Sequence, residues 1–259
     1  MATALFSHYT PHGFVIAADG RSSKEDGEVI SESVQKIFQL GGPKRRLAYA
    51  MTGALELVGA DGGIAVDLAE EIKGAANALS RRTFKNPHIF SSTLCAPILQ
   101  KIRSAHKAGK IEKLPEGPAQ LAGEQGHAII RIVIAGYYDG VPVLTECRIA
   151  HHNQKIRDVA IISPTMDEPW RTGVPEVARG LITDPRFAVY ATPLPHKLTD
   201  WIVVAKQFVA ACGGPEAMEV NPKAAQTVGG RTLIATITPA DGFRWVSGFE
   251  PLSKASMEI

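Results

Sequence analysis

Short apolar runs, separated by turns rich in glycine, proline and small polar residues, dominate the first part of the chain. Strands are predicted over Ala4–Ser7, Gly13–Asp19, Val34–Gln39 and Leu47–Thr52. From Ile64 the period changes: Ile64, Val66, Leu68, Ala69, Ile72 and Ala75 recur mostly at three and four, with Glu70, Glu71 and Lys73 between them. This predicts an amphipathic helix. A second helix is predicted over Phe90–Lys107, with Pro97 as a kink or with a start displaced to about Ala96. Lys110–Gly126 has no period and reads as a long surface loop.

Strands resume over His127–Gly136 and Val141–Ala150, joined through Tyr137-Tyr138-Asp139-Gly140 as a tight hairpin. Arg157–Ser163 reads as a further strand, Thr172–Leu181 as a short helix and Leu198–Ala211 as a longer one, broken by Gly213-Gly214 before a shorter helical piece. Leu233–Thr238 and Phe243–Val246 close the pattern as a hairpin. Paired helices between mostly antiparallel strands argue for an α+β layout over a parallel βαβ one. Without a repeat or a linker composition, residues 1–259 are expected to be one domain.

Composition narrows the class. Apolar residues make up 45% and charged residues 21%, an ordinary globular balance, with a net charge of +2. Lys44-Arg45-Arg46, the densest basic cluster, is expected to be solvated, so no nucleic-acid partner is implied. No apolar run approaches the ~18 residues of a membrane span, and the first residues lack the pattern of a secretory leader. A cytoplasmic protein is expected. Cys95, Cys147 and Cys212 are widely spaced and read as core residues, not as a disulfide framework or a metal site. No cofactor and no metal are expected. The adjacent His151 and His152 point to opposite faces of a strand, Gly59–Gly63 lacks the residues of a P-loop, and Ser22-Ser23 reads as turn chemistry.

The candidate chemistry lies near the start. Asp19-Gly20-Arg21 closes an apolar strand, Gly20 allowing a sharp turn there. Thr3 precedes it, and Lys36 follows in another alternating run. A terminal threonine supplies a hydroxyl nucleophile and, in its own α-amino group, a base with a pKa near ~8. A lysine stabilises the alkoxide, an aspartate fixes that lysine, and a backbone N–H after a strand-end glycine receives the oxyanion. Thr3, Lys36, Asp19 and Gly53 are the candidates for these roles, with Arg21 orienting the group. The Lys36–Asp19 pair is expected to contribute only modestly to stability.

This stretch resembles the start of a proteasome β-type subunit, an N-terminal nucleophile hydrolase, of the bacterial type. The interval from Thr3 to Asp19 matches the family, and that from Asp19 to Lys36 is one residue longer. Gly136–Gly140 resembles its central hairpin, and Val228-Gly229-Gly230 before Leu233–Ile237 resembles its late Gly-Gly strand. The resemblance implies a four-layer αββα sandwich, threonine-dependent peptide or amide hydrolysis, and homo-oligomers built as stacked rings. The chain departs from the family in two places. Ala225 and Val228 stand where an aspartate and a serine hold the threonine's amino group, and Met1-Ala2 precedes Thr3 without the usual glycine. The alternative is a silent, ring-forming scaffold or binding subunit. Apolar Ala75, Ala76 and Leu79 on the first helix are expected to face a neighbouring copy.

Overall fold

A computed structural model of the chain describes residues 3–23, 27–42, 45–111, 113–114, 127–180, 184–190 and 197–252. Met1-Ala2, Lys44 and most of the 110–126 loop lie outside them. In chain order the strands are β1 (Leu5–Thr10), β2 (Gly13–Ala18), β3 (Ser22–Ser23), β4 (Val29–Ser31), β5 (Ile37–Leu40), β6 (Arg45–Gly53), β7 (Glu56–Val58) and β8 (Ile64–Asp67). Helices α1 (Leu68–Leu79) and α2 (Pro87–Lys107) follow, then β9 (His127–Tyr138), β10 (Val141–His152), β11 (Lys155–Ile156), β12 (Ala160–Ile162) and β13 (Trp170–Thr172). Helix α3 (Pro175–Gly180), a 3-10 turn over Pro185–Tyr190, α4 (Leu198–Gly213), α5 (Pro215–Val220) and α6 (Pro222–Ala225) lead to β14 (Leu233–Thr238) and β15 (Gly242–Trp245).

The expected α+β four-layer αββα sandwich is overturned. Among the described residues the architecture is mainly β, with four separate sheets of five, six, two and two strands and six α-helices. Order along the chain specified strands, helices and two local hairpins, but neither the remaining pairings nor the number of sheets. The layering rested partly on that order, which two stacked sheets with outer helices satisfy, and partly on the resemblance. Contacts divide the chain into two compact units, Met1–Gln39 with Thr165–Ile259, and Leu40–Pro164.

The first unit carries the sheet β13-β1-β2-β14-β15, antiparallel at every pairing. Strand β2 is buried along its whole length and paired on both edges, with Val15 and Ala17 in the apolar cluster under α4. Phe6 on β1 meets Phe208 and Trp201 of α4 at ring-centroid distances of 5.9 and 6.2 Å, the centre of an apolar cluster that includes Val15, Ala17 and Ile234. His8, two residues on, lies against Trp201 at 3.7 Å. Burial pulls its imidazole down to about 4; a backbone hydrogen bond at Glu168 opposes this and the charge of Arg171 adds to it. In the unfolded chain the same group titrates near ~6.5, so protons favour the unfolded state between these values. Urea midpoints are expected to fall as pH drops from 6.5 to 4 and then to level off, and His8→Phe should flatten that slope.

In the second unit the larger sheet runs β11-β10-β9-β6, with β12 also on β10; β5, across which the chain passes into this unit, is its sixth strand. The β9–β10 hairpin turns through Asp139 and Gly140, both at positive φ, as a tight Asp-Gly turn requires. Helix α2 starts at Pro87 behind Asn86, whose side chain accepts the N–H of Ile89 at 2.9 Å, and it continues through Pro97. Helix α1 starts at Leu68, not at Ile64, because Asp67 caps it and Ile64–Asp67 pairs with β7. Ala76 and Leu79 are buried within this unit. Arg45 is not solvated: it is 6% exposed, donates to the carbonyls of Leu79 and Ser80 at 2.7 and 2.8 Å, and lies 4.8 Å from the Phe90 ring. Cys95, Cys147 and Cys212 are free and buried.

Candidate active site

Four of the five residues singled out in the sequence belong to the first unit and bear on one buried carboxylate. Thr3 precedes β1, Asp19 follows β2, and antiparallel pairing of Leu5 with Ala18 sets the two strand ends side by side. The main chain locks this arrangement. The N–H of Asp19 donates to Ala4 O at 3.1 Å, and the N–H of Ala4 donates to Asp19 Oδ1 at 3.0 Å. Lys36 reaches in from the stretch before β5. Its Nζ donates to Asp19 Oδ1 and Oδ2 at 3.0 Å each and to Thr3 Oγ1 at 3.3 Å, which uses all three ammonium protons.

Asp19 is fully buried and Lys36 is 1% exposed, so the pair has almost no water to screen or solvate it. Burial pushes the Asp19 carboxyl up; the Lys36 charge and the N–H groups of Gly229 and Arg21 pull it back. Burial pushes the Lys36 ammonium down, Asp19 holds it up, and the charge of Arg21 lowers it further. Lys36 therefore holds its proton less firmly than a surface lysine does, and that proton points at the Thr3 hydroxyl.

Arg21 touches the carboxylate through its backbone, its N–H donating to Asp19 Oδ2 at 3.1 Å. Its guanidinium turns away, onto Glu32 (Nε to Oε2 3.1 Å, Nη2 to Oε1 2.9 Å) and the carbonyl of Gln226 (2.9 Å). Gly229 supplies another N–H to Asp19 Oδ2, at 3.3 Å, while its carbonyl accepts the N–H groups of Gly20 and Arg21 at 3.1 and 3.0 Å. Gly20 does not take a left-handed turn; it is required because the carbonyl of Arg231 passes 2.6 Å from where a Cβ would stand. Gly53 lies in the second unit, at the end of β6 opposite Ile130 on β9.

Ala225 and Val228 are buried in the apolar cluster of the first unit. Between them, Gln226 gives its carbonyl to Arg21, and the hydroxyl of Thr227 donates to the carbonyl of Ala224 at 2.8 Å. The sequence did not point to Ala4, Gly229 or Glu32 as parts of the site. Gly229 carried a signal in its Gly-Gly pair, whereas Glu32 sits in a polar stretch with nothing to distinguish it. Among the described residues no three His, Cys, Asp or Glu side chains converge as a metal site would need, and no helix is long and apolar enough to cross a membrane.

No protein-family description matches the chain, and no curated protein does either. Solved structures do. The chain is similar to an Anbu (Gly-1) mutant from Hyphomicrobium sp. strain MC1, at 13% identity and a TM-score of 0.50, covering 95% of this chain and 85% of that one. It is also similar to Anbu (ancestral beta-subunit) from Yersinia bercovieri, at 12% identity and a TM-score of 0.54, covering 94% and 87%. At these identities the likeness bears on the fold alone, which is proteasome-like. The Anbu proteins form a family distinct from the proteasome β-type subunits, so the assignment to the latter is corrected.

Proposed function

We propose that this chain is a threonine-dependent amide or peptide hydrolase whose nucleophile is the Thr3 hydroxyl. The observation that carries this reading is the line Asp19–Lys36–Thr3, buried throughout, with Lys36 Nζ 3.3 Å from Thr3 Oγ1. Thr3 Oγ1 attacks the substrate carbonyl, its proton passing to the Thr3 nitrogen once that nitrogen is a free amine. The Lys36 ammonium stabilises the developing alkoxide, and Asp19 keeps Lys36 in place. The acyl group passes to Thr3 as the amine leaves with the proton, and water then releases the acid. An amide nitrogen at Thr3 has no basic lone pair, so this route requires cleavage between Ala2 and Thr3.

The intact mass of an active preparation should therefore lack Met1 and Ala2, and a hydroxyl-directed β-lactone should add one equivalent. Thr3→Ala should abolish that adduct, and Lys36→Ala should slow its formation. A chain starting stably at Ala2 and unreactive to the lactone would overturn the reading. A second reading, a silent assembly subunit, is favoured by Ala225 and Val228, which offer no polar group to a Thr3 amine. Under it, the unreactive chain would sediment well above its 27.7 kDa monomer mass.

A further inference from the structure

Glu32 is half exposed, with a side-chain accessibility of 51%, yet it is tied to the site on both its main chain and its side chain. Its carbonyl accepts the N–H of Arg231 at 2.7 Å, and its carboxylate takes Arg21 in a two-bond fork at 3.1 and 2.9 Å. The guanidinium so held lies flat on Gly229, where a Cβ would stand 2.6 Å from Arg21 Cζ, and its remaining arm is fixed by the carbonyl of Gln226. Gly229 is the residue whose N–H reaches Asp19 Oδ2. We propose that Glu32 is a positioning residue of this site: by gripping Arg21 it seats the guanidinium on Gly229, holding that N–H on the carboxylate that presents Lys36 to Thr3.

Fork and charge act together. The charge of Arg21 lowers the Lys36 ammonium while Asp19, the anion beside it, holds it up. Glu32 offsets the Arg21 charge from the solvent side. Removing its charge while keeping its shape leaves Arg21 on the Gln226 carbonyl, uncompensated, and loosens the Gly229 peptide.

The rate readout of this inference rests on Thr3 being the nucleophile; the titration readout does not. The test is Glu32→Gln in the full-length protein, followed by 13Cε-lysine NMR titration of Lys36 and by the rate of β-lactone addition. Asp241→Asn, which removes a comparably exposed carboxylate paired with Arg244, controls for net charge. Glu32→Gln should move the Lys36 titration to lower pH and slow labelling about fivefold, the scale of one half-exposed ion pair. Asp241→Asn should leave both unchanged. A Glu32→Gln protein with the wild-type Lys36 titration and labelling rate overturns the proposal. If even the wild type takes no lactone, the hydrolase reading fails; a moved Lys36 titration then still supports the role of Glu32, and an unmoved one overturns it.

Discussion

Asp19→Ala is expected to destabilise the first unit by about 3–5 kcal/mol, the scale for breaking a buried ion pair by removing one partner. The substitution strands the Lys36 ammonium, 1% exposed, with Thr3 Oγ1 as its remaining partner among those described above. It also leaves the N–H groups of Ala4, Arg21 and Gly229 without the carboxylate oxygens they now reach. The sequence alone led to the expectation of a modest contribution; burial of both partners makes a larger one the expected outcome. Urea unfolding followed by tryptophan fluorescence measures the loss. Asp19→Asn, which keeps the shape and one good acceptor, should recover part of the stability without restoring lactone labelling. An Asp19→Ala protein within about 1 kcal/mol of wild type would mean that Lys36 finds other solvation, against the buried geometry.

Gly230→Ala is the second large effect expected. Gly230 has φ near +68°, which costs a residue bearing a Cβ about 1–2 kcal/mol. The larger obstacle is steric, because the new Cβ would press on the backbone carbonyl of Glu32, which cannot swing aside as a side chain end can. With overpacking of about 1–3 kcal/mol added, a total loss of about 2–5 kcal/mol should appear in the urea midpoint. Since Glu32 O also holds the N–H of Arg231, the displaced segment takes the Arg21 fork with it, and lactone labelling should fall together with stability. Gly41→Ala, where a Cβ would meet nothing within 4 Å, serves as the control and should cost little.

What the sequence disclosed followed from local chemistry. The apolar runs at Gly13–Ala18 and Leu47–Thr52, and the Asp-Gly turn at 139–140, are written in neighbouring residues, and the strands are found there. Asp19, Lys36 and Thr3 were legible together because their types and order, with a matching Thr3–Asp19 interval and an Asp19–Lys36 interval one residue longer, resemble a known arrangement. The small hairpins β3–β4 and β7–β8 were not, since strands of two to four residues carry too few alternations to stand out. The start of α1 was misplaced because Ile64 and Val66 fit a helix face as well as a strand, and only the Asp67 cap decides between them. Layers and sheet pairing depend on contacts between distant segments, which no local pattern encodes. The same holds for Gly229, whose amide meets Asp19 across 210 positions of chain.

The first unit is built from both ends of the sequence, and this bears on how the protein is made. Residues 40–164 form a compact unit of their own and emerge from the ribosome as one uninterrupted stretch. The strands that precede them must wait: β2 lacks its neighbour β14, and Asp19 lacks Gly229, until nearly the whole chain has been synthesised. The long sequence separation thus delays the last backbone contact of the buried carboxylate until the chain is nearly complete.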